Sequence, residues 1–366
     1  MQEDQLQFQI GLTLLPGVGD IIAKKIVAYC GGVEAVFKEK KATLLKVPGV
    51  GMVVANAIKG SNVLARAERE IKFIKKNNIK ALFFLEEGYP NRLKYCEDGP
   101  VMLYCKGDMD FSNPKVVSIV GTRKSTEYGK RICERLVEEL TSYKVLVVSG
   151  LAYGIDICAH KAAISHNLPT IACLAHGLDR VYPALHASVA EKMQENGGLV
   201  TEFMSETNPD RENFPKRNRI IAGLADAVIV VEAGIKGGAL ITAEIANGYS
   251  RDVFAFPGRL DDPFSAGCNR LIKINKAALI ESAKDLEYLM GWENKKSKPS
   301  VQKQLFVDLT PDEEIIVNVL KEKGTLYIDN ICLLAKFPTN KAAMVLLNLE
   351  FSGLVKALPG KLYQLN

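Results

Sequence analysis

The sequence predicts an α/β protein with a doubly wound, mostly parallel sheet, preceded by a small all-α domain and followed by a small helical domain that closes in a hairpin. Three observations predict it. Between residues 112 and 291, short β-branched apolar runs alternate with helix-length patterns, the signature of βαβ units covered on both faces. Those runs end in small, polar or charged residues. On either side lie a segment that repeats itself at a period of 32 residues and a polar, Pro-containing stretch after Trp292. A chain of 366 residues is long for one ordinary domain and suffices for a large core with smaller modules attached.

The first module spans 1–67. Leu15-Pro-Gly17-Val-Gly19, followed by Ala23 and Ile26, recurs as Val47-Pro-Gly49-Val-Gly51, followed by Ala55 and Ile58. Each copy reads as a tight Pro-Gly-x-Gly turn leading into a helix whose small Ala permits close packing. The pair resembles the helix-hairpin-helix family in tandem. That resemblance implies that Gly17, Gly19, Gly49 and Gly51 expose backbone amides able to hold a DNA phosphate at a helix N-terminus. A helical bundle serving only packing is the competing reading. Residues 1–80 carry 13 Lys+Arg against 7 Asp+Glu, with Lys24, Lys25, Lys46 and Lys59 near the repeats.

Residues Ser61 to Lys80 read as a connecting helix, with Val63, Leu64, Ala67, Ile71 and Ile74 at helical spacing. The central domain is assigned to 68–291, of which 68–111 form the lead-in and edge, with short β segments at Ala81–Leu85 and Gly99–Tyr104. Its strands are expected at Val116–Val120, Val145–Ser149, Thr170–Ala175, Gly198–Glu202, Ala227–Val231, Asp252–Ala255 and Ala278–Ile280. A Rossmann-like sheet fits best, and in that architecture ligands bind at the carboxyl ends of the strands.

The stretch 292–310 reads as a linker. In 311–366, helix patterns at Asp312–Lys323, Ile328–Ala335 and Asn340–Ser352 precede a hairpin of Leu354–Ala357 and Lys361–Gln364, a winged-helix outline. Its third helix is rich in Ala, Met, Val and Leu with Lys341 as its one cation, which favours a protein contact or a structural role over DNA reading.

Composition narrows the function. No run approaches the roughly 20 apolar residues that span a bilayer, and Met1-Gln-Glu-Asp-Gln lacks the features of a signal peptide, so no membrane association and a cytoplasmic location are expected. Eight cysteines without a C-x-x-C pair and four histidines away from metal-ligand spacings predict reduced thiols and no metal. The span 112–291 carries 21 cations and 21 anions, so a polyanion needs a local basic face there. Such a face is offered by Phe214-Pro-Lys216-Arg217-Asn218-Arg219-Ile-Ile221, just before the strand Ala227–Val231, which runs into Glu232 and Gly237-Gly238. The first strand leads into Gly121-Thr-Arg-Lys-Ser-Thr, which is not the dinucleotide fingerprint, and no Gly-Lys-Ser/Thr occurs anywhere. Neither a dinucleotide cofactor nor ATP hydrolysis has motif support, and no cofactor is expected.

Six ordered motifs then carry a resemblance: Val120-Gly-Thr-Arg123 with Tyr128-Gly129; Ser149-Gly-Leu-Ala-x-Gly-Ile-Asp156 with Ala159-His160; Gly177-Leu-Asp179 with Tyr182-Pro183; Phe214-Pro-x-Arg-Asn-Arg-Ile-Ile-Ala-Gly223; Val231-Glu-Ala233 with Leu240-Ile-Thr-Ala243; and Pro257-Gly258. Over about 81–291 the chain resembles the DNA-processing protein DprA (Smf) family. The resemblance implies a cytoplasmic, non-catalytic homodimer that binds single-stranded DNA and loads the recombinase RecA onto it in natural transformation, that is, in competence and DNA recombination. It places the strand-binding pocket on Gly121, Thr122 and Arg123 and on Arg211, Phe214, Lys216, Arg217, Asn218 and Arg219, with Gly237 and Gly238 donating backbone amides. Arginines fork onto phosphate, and Phe214 offers a stacking face. A structural ion-pair network with Glu202, Glu232 and Asp226 is the competing reading of the Arg-Asn-Arg segment.

The sequence departs from the family pattern at three places. Gly237-Gly238-Ala239 stands where Ser-Gly-Ser is usual, which leaves the helix dipole and backbone amides as the donors. Tyr182-Pro-Ala-Leu-His186 lacks the usual basic residue and Asn, with Arg180 as the substitute candidate. The basic tandem repeat is absent from some members. An enzyme of the nucleotide phosphoribohydrolase type is the alternative, with Asp156 and His160, or Glu232 and Thr242, as acid/base candidates. Against it, Asp156 reads as a helix cap and His160 as a hydrogen-bonded core histidine. The run Asn269–Leu279 places Leu271, Ile272 and Ile274 where the family is thought to dimerise.

Overall fold

The computed structural model describes residues 2–60, 62–292, 309–358 and 362–365. The chain forms two compact units, Met1–Glu293 and Asn294–Asn366. The expected linker at 292–310 falls outside the described residues except for its first residue and its last two.

In the larger unit, among the described residues, nine strands form one sheet: β1 Lys80–Phe83, β2 Met102–Lys106, β3 Val116–Val120, β4 Leu146–Ser149, β5 Thr170–Cys173, β6 Gly197–Thr201, β7 Ala227–Val230, β8 Asp252–Ala255 and β9 Ala278–Leu279. Their order is β1-β2-β6-β5-β4-β3-β7-β8-β9. The β1–β2 and β2–β6 pairs are antiparallel and the others parallel. From β3 the chain winds outward through β4, β5 and β6, then returns to β7 on the other side of β3. The switch point therefore lies between the carboxyl ends of β3 and β7, where open α/β sheets bind ligands.

Alternation along the strands decides which helix covers which face. Val116, Val120, Val148, Val228 and Val230 pack with Ile220, Ile221, Leu224, Ala239 and Ala243, which belong to the helices Asn213–Leu224 and Gly238–Gly248. Val117, Ile119, Val147 and Ile229 pack with Ile132, Leu136, Leu140 and Ile155, on the helices Glu127–Leu140 and Ile155–Ser165. Both faces are covered, so the central strands read as uninterrupted apolar runs.

The N-terminal segment is helical through Gln2–Thr13, Asp20–Cys30, Val33–Lys38, Lys41–Leu44, Met52–Gly60 and Val63–Lys76. The last of these runs through residue 67, the expected boundary. The repeat is real in the backbone. Gly17 and Gly49 take left-handed φ of 77° and 91°, Val18 and Val50 donate to the carbonyls of Leu15 and Val47, and Ala23 and Ala55 donate to those of Gly19 and Gly51. Its core, including Ile26, Val27, Ile58 and Ile71, is continuous with Phe83, Val101, Met102 and Tyr104 of the sheet edge. The segment is thus fused to the sheet and shares its core.

The smaller unit contains helices Pro311–Lys323, Ile328–Ala335 and Thr339–Phe351 and a sheet of β10 Leu326–Tyr327, β11 Val355–Leu358 and β12 Leu362–Leu365, in the order β10-β12-β11. A capping box of Thr310 and Glu313 starts its first helix. The short β10, which the sequence pattern does not foresee, completes the winged-helix layout; residues 359–361 of the expected hairpin lie outside the described residues.

Candidate nucleic-acid interface

At the switch point lies a cleft of about 650 Å³ lined by Gly121, Thr122, Arg123, Arg211, Phe214, Arg217, Asn218, Gly237 and Gly238. The structure brings together all of the expected pocket residues except Lys216 and Arg219. Those two fail for a simple reason. The segment 213–224 is a helix, and side chains three or four apart share a face. Phe214, Arg217, Asn218 and Ile221 form the cleft face; Lys216 and Arg219 are turned away.

Arg219 is therefore a correction to the expected phosphate contacts. It is bonded to Glu202 and to the carbonyl of Asp98, and pairs with Asp20 at 3.1 Å. Asp20 Oδ1 also accepts from Val101 N at 2.8 Å. These contacts clasp the N-terminal helices onto the sheet edge. The ion-pair reading holds for Arg219 and Glu202 only: Asp226 is paired with Arg92 at 2.6 Å, and Glu232 is engaged elsewhere. Burial pushes the Glu202 carboxyl up to about 7, with Asp20 adding to the shift and Arg219 opposing it. Burial also works against the Arg219 charge, but the surrounding carboxylates outweigh it and raise its pKa.

Within the cleft, Arg217 is the buried cation, 3% exposed. Its Nη1 donates to the carbonyl of Gly150 at 2.6 Å and to that of Cys173, and its Nε donates to Asn218 at 3.3 Å. Gly150 is required by that approach, since a Cβ there would lie 2.6 Å from the guanidinium Cζ. Asp156 lies on the same wall. Burial raises its carboxyl pKa and lowers that of Arg217, and each charge opposes the other's shift. Arg123 is exposed, with its Cζ 5.0 Å from the centroid of Phe214, while the Arg217 Cζ is 5.9 Å from the same ring. Tyr182, which the sequence reading placed in a motif without a role, sits 6.2 Å from Phe214, its ring tilted by 59°. Lys236 also lines the cleft; a cation next to the Gly-Gly turn was the signal for it. The exposed Gly237 and Gly238 open the helix Gly238–Gly248, so the first amides of that helix face the cleft with no side-chain cap. Three guanidinium groups, those of Arg123 and Arg211 exposed and that of Arg217 buried, two aromatic rings and a free helix N-terminus suit a phosphate backbone carrying bases.

The acid/base candidates have other employment. Glu232 accepts from Thr126 N at 2.9 Å and from Thr126 Oγ1 at 2.5 Å, holding the start of the helix Glu127–Leu140. His160 is 0% exposed, 2.8 Å from Thr170 Oγ1 through Nδ1, and burial, then Arg217 and His186, depress it to about 3. It is a core histidine, as expected. Asp156 is not the cap, because Gly154 holds that position and Asp156 lies in the first turn.

Arg180 lies outside the cleft, bonded to Asp179 and to Asn208. The first hairpin keeps Gly17 and Gly19 exposed, while its helix begins at Asp20, whose carboxylate is committed to the clasp, and Lys24 bonds the carbonyls of Cys96 and Glu97 at 3.1 Å. The second hairpin, likewise exposed at Gly49 and Gly51, carries no such clasp. Leu271, expected at a dimer interface, is 6% exposed and part of the sheet core, because the helix Ala266–Lys273 buries Gly267, Cys268 and Leu271 on one face. Ile272 packs partly against that core, and Ile274 is 50% exposed.

Comparison with known proteins gives the family. The family model described as DNA recombination-mediator protein A matches residues 80–291, and the DprA winged helix domain matches 302–361. Protein Smf of Escherichia coli (strain K12) is 35% identical over 317 residues, covering 81% of this chain and 83% of that protein. Protein Smf of Synechocystis is 30% identical and covers all of both chains. The crystal structure of DNA processing protein A from Streptococcus pneumoniae superposes with a TM-score of 0.64 at 29% identity, covering 79% of this chain and 97% of that one. The Helicobacter pylori protein, whose single-stranded-DNA binding mode has been described structurally, gives a TM-score of 0.53 at 31% identity, covering 58% of this chain and 96% of that one. With a family model spanning more than half of the chain and relatives matched along most of it, the chain belongs to the DNA recombination-mediator protein A (DprA, Smf) family.

Proposed function

We propose that this chain binds single-stranded DNA in the switch-point cleft and delivers it, as a homodimer, to the recombinase RecA, without catalysing a reaction itself. The observation that carries the reading is the stack of Arg123, Phe214 and Arg217 beside the uncapped helix N-terminus at Gly237–Gly238. The guanidinium groups and amides supply phosphate contacts, and Phe214 with Tyr182 supplies faces for bases, a combination that tolerates any sequence. The solved Helicobacter pylori relative supports it, being described as a single-stranded-DNA binder. The phosphoribohydrolase alternative has less support, since Glu232 is spent on the Thr126 cap. The RecA and dimer assignments rest on the family resemblance, and the exposed Ile274 is the dimer candidate that remains accessible.

Binding of oligo(dT) across a salt series tests the reading. The logarithm of affinity should fall steeply with the logarithm of salt, with a slope of about −0.7 per phosphate engaged. Arg123→Ala should weaken binding about tenfold and flatten the slope by about 0.7, with thermal stability unchanged because Arg123 is exposed. Unchanged affinity and slope would remove Arg123 from the site. Release of free base from nucleoside monophosphates would favour the enzyme alternative instead.

A further inference from the structure

The two cations that the helix Asn213–Leu224 turns away from the first cleft line a second one, of about 710 Å³, between the N-terminal helices and the sheet edge. Its walls are largely apolar, with Val18, Ile21 and Ile22 from the first hairpin facing Met102, Phe203 and Met204. Charged groups gather at Glu202, Arg219, Asp20, Asp98 and Lys216. Most of these are matched: Arg219 holds Glu202 Oε2, Asp20 and the Asp98 carbonyl. The buried Oε1 of Glu202 has no hydrogen-bond partner among the described residues. A buried carboxylate oxygen left without a donor is costly, and Oε1, closed off from solvent as it stands, gains a donor from a ligand when the Glu202 side chain turns toward the cleft.

We propose that this second cleft is a base subsite, which takes an unstacked nucleobase carrying an exocyclic amino group from the strand held in the first cleft. The inference rests on the single-stranded-DNA reading above. The size suits a nucleotide-sized ligand, the apolar walls suit a planar base, and Lys216, exposed beside the cleft, suits its phosphate. Glu202 supplies the selectivity. A carboxylate accepts from the N4 amino group of cytosine, whereas the one ring donor of thymine, N3–H, lies between two carbonyl oxygens that a carboxylate repels. The two clefts flank one helix about 10 Å across, so an extended strand passing over its N-terminal end can enter both.

Fluorescence anisotropy with labelled 12-mers at about pH 8.5, above the value of about 7 to which burial raises Glu202, so that it is the carboxylate, tests this. The intact protein should bind oligo(dC) about tenfold more tightly than oligo(dT), the discrimination expected of one good base contact. Glu202→Gln, which weakens the acceptor, and Met204→Trp, which narrows the cleft from a loop, should each abolish that preference and leave oligo(dT) affinity unchanged. Equal binding of the two oligomers, or a preference that survives both substitutions, would overturn the base subsite alone. Protection of Lys216 from acylation by free dCMP, with no preference between the oligomers, would overturn it in favour of a mononucleotide site. Failure to bind either oligomer would overturn the DNA reading of the first cleft together with this one.

Discussion

Replacing Arg219 by Met separates the two faces of the helix Asn213–Leu224. The substitution keeps the aliphatic stem and removes the guanidinium, and with it the bonds to Glu202, Asp20 and the Asp98 carbonyl. Removing one partner of a buried pair leaves an uncompensated charge and costs about 3–5 kcal/mol. The lower end applies, because Glu202 already titrates at about 7 through burial and escapes part of the cost by taking up a proton. Its raised value means that its contribution to stability is fully present below the ordinary carboxylate range and is lost as pH rises through about 7. The loss in Arg219→Met should therefore be larger at pH 8 than at pH 6. For a unit of this length about 3 kcal/mol corresponds to roughly 5 °C in Tm. Calorimetry at the two pH values measures it, and anisotropy with oligo(dT) should show affinity within twofold of the parent. An Arg219→Met protein with unchanged Tm and a tenfold loss of oligo(dT) affinity would refute the division of the helix into a DNA face and a clasp face.

Three further outcomes are expected. Gly150→Ala should displace the Arg217 guanidinium from the carbonyls of Gly150 and Cys173 and cost about 2 kcal/mol, together with most of the oligo(dT) affinity; urea unfolding and anisotropy read the two losses. His160, neutral in the fold and depressed to about 3, should make stability fall as pH drops from about 6.5 toward 3, because the unfolded chain binds the proton that the fold refuses. By pH 5 this amounts to about 2 kcal/mol, which His160→Leu should remove from the pH profile of unfolding. Ile274→Glu should yield monomers by light scattering with the fold intact, whereas Leu271→Glu, in the core, should give unfolded protein; a folded, still dimeric Ile274→Glu protein would move the interface elsewhere.

Much of the architecture was legible because apolar runs covered on both faces leave an unmistakable pattern. Val116–Val120 and Asp252–Ala255 occur with the expected limits, the segment expected at Gly99–Tyr104 starts three residues later and ends two later, and the other sheet strands differ by a residue or two at their ends, where local pattern is weakest. The 32-residue repeat predicted two equivalent turns, and their backbones are equivalent. Their surroundings are not. Asp20 and Lys24 commit the first turn to the sheet edge, and the corresponding positions of the second, Met52 and Asn56, carry no such charges.

Sequence alone determined the sheet and the small, polar or charged ends of its strands, because those follow from strand periodicity, and nine of the eleven pocket residues that the family resemblance implied line the switch-point cleft. Tertiary structure decided what the Arg-Asn-Arg segment does. Read as a string, Lys216, Arg217 and Arg219 are one basic cluster; wound into a helix, successive residues are turned by 100°, so Arg217 enters the cleft while Lys216 and Arg219 face the N-terminal helices. Which carboxylates and carbonyls then meet each guanidinium depends on Asp20, Asp98, Glu202, Gly150 and Cys173. Those partners are distant in the chain and adjacent only once the sheet has formed, and no spacing along the sequence encodes that meeting.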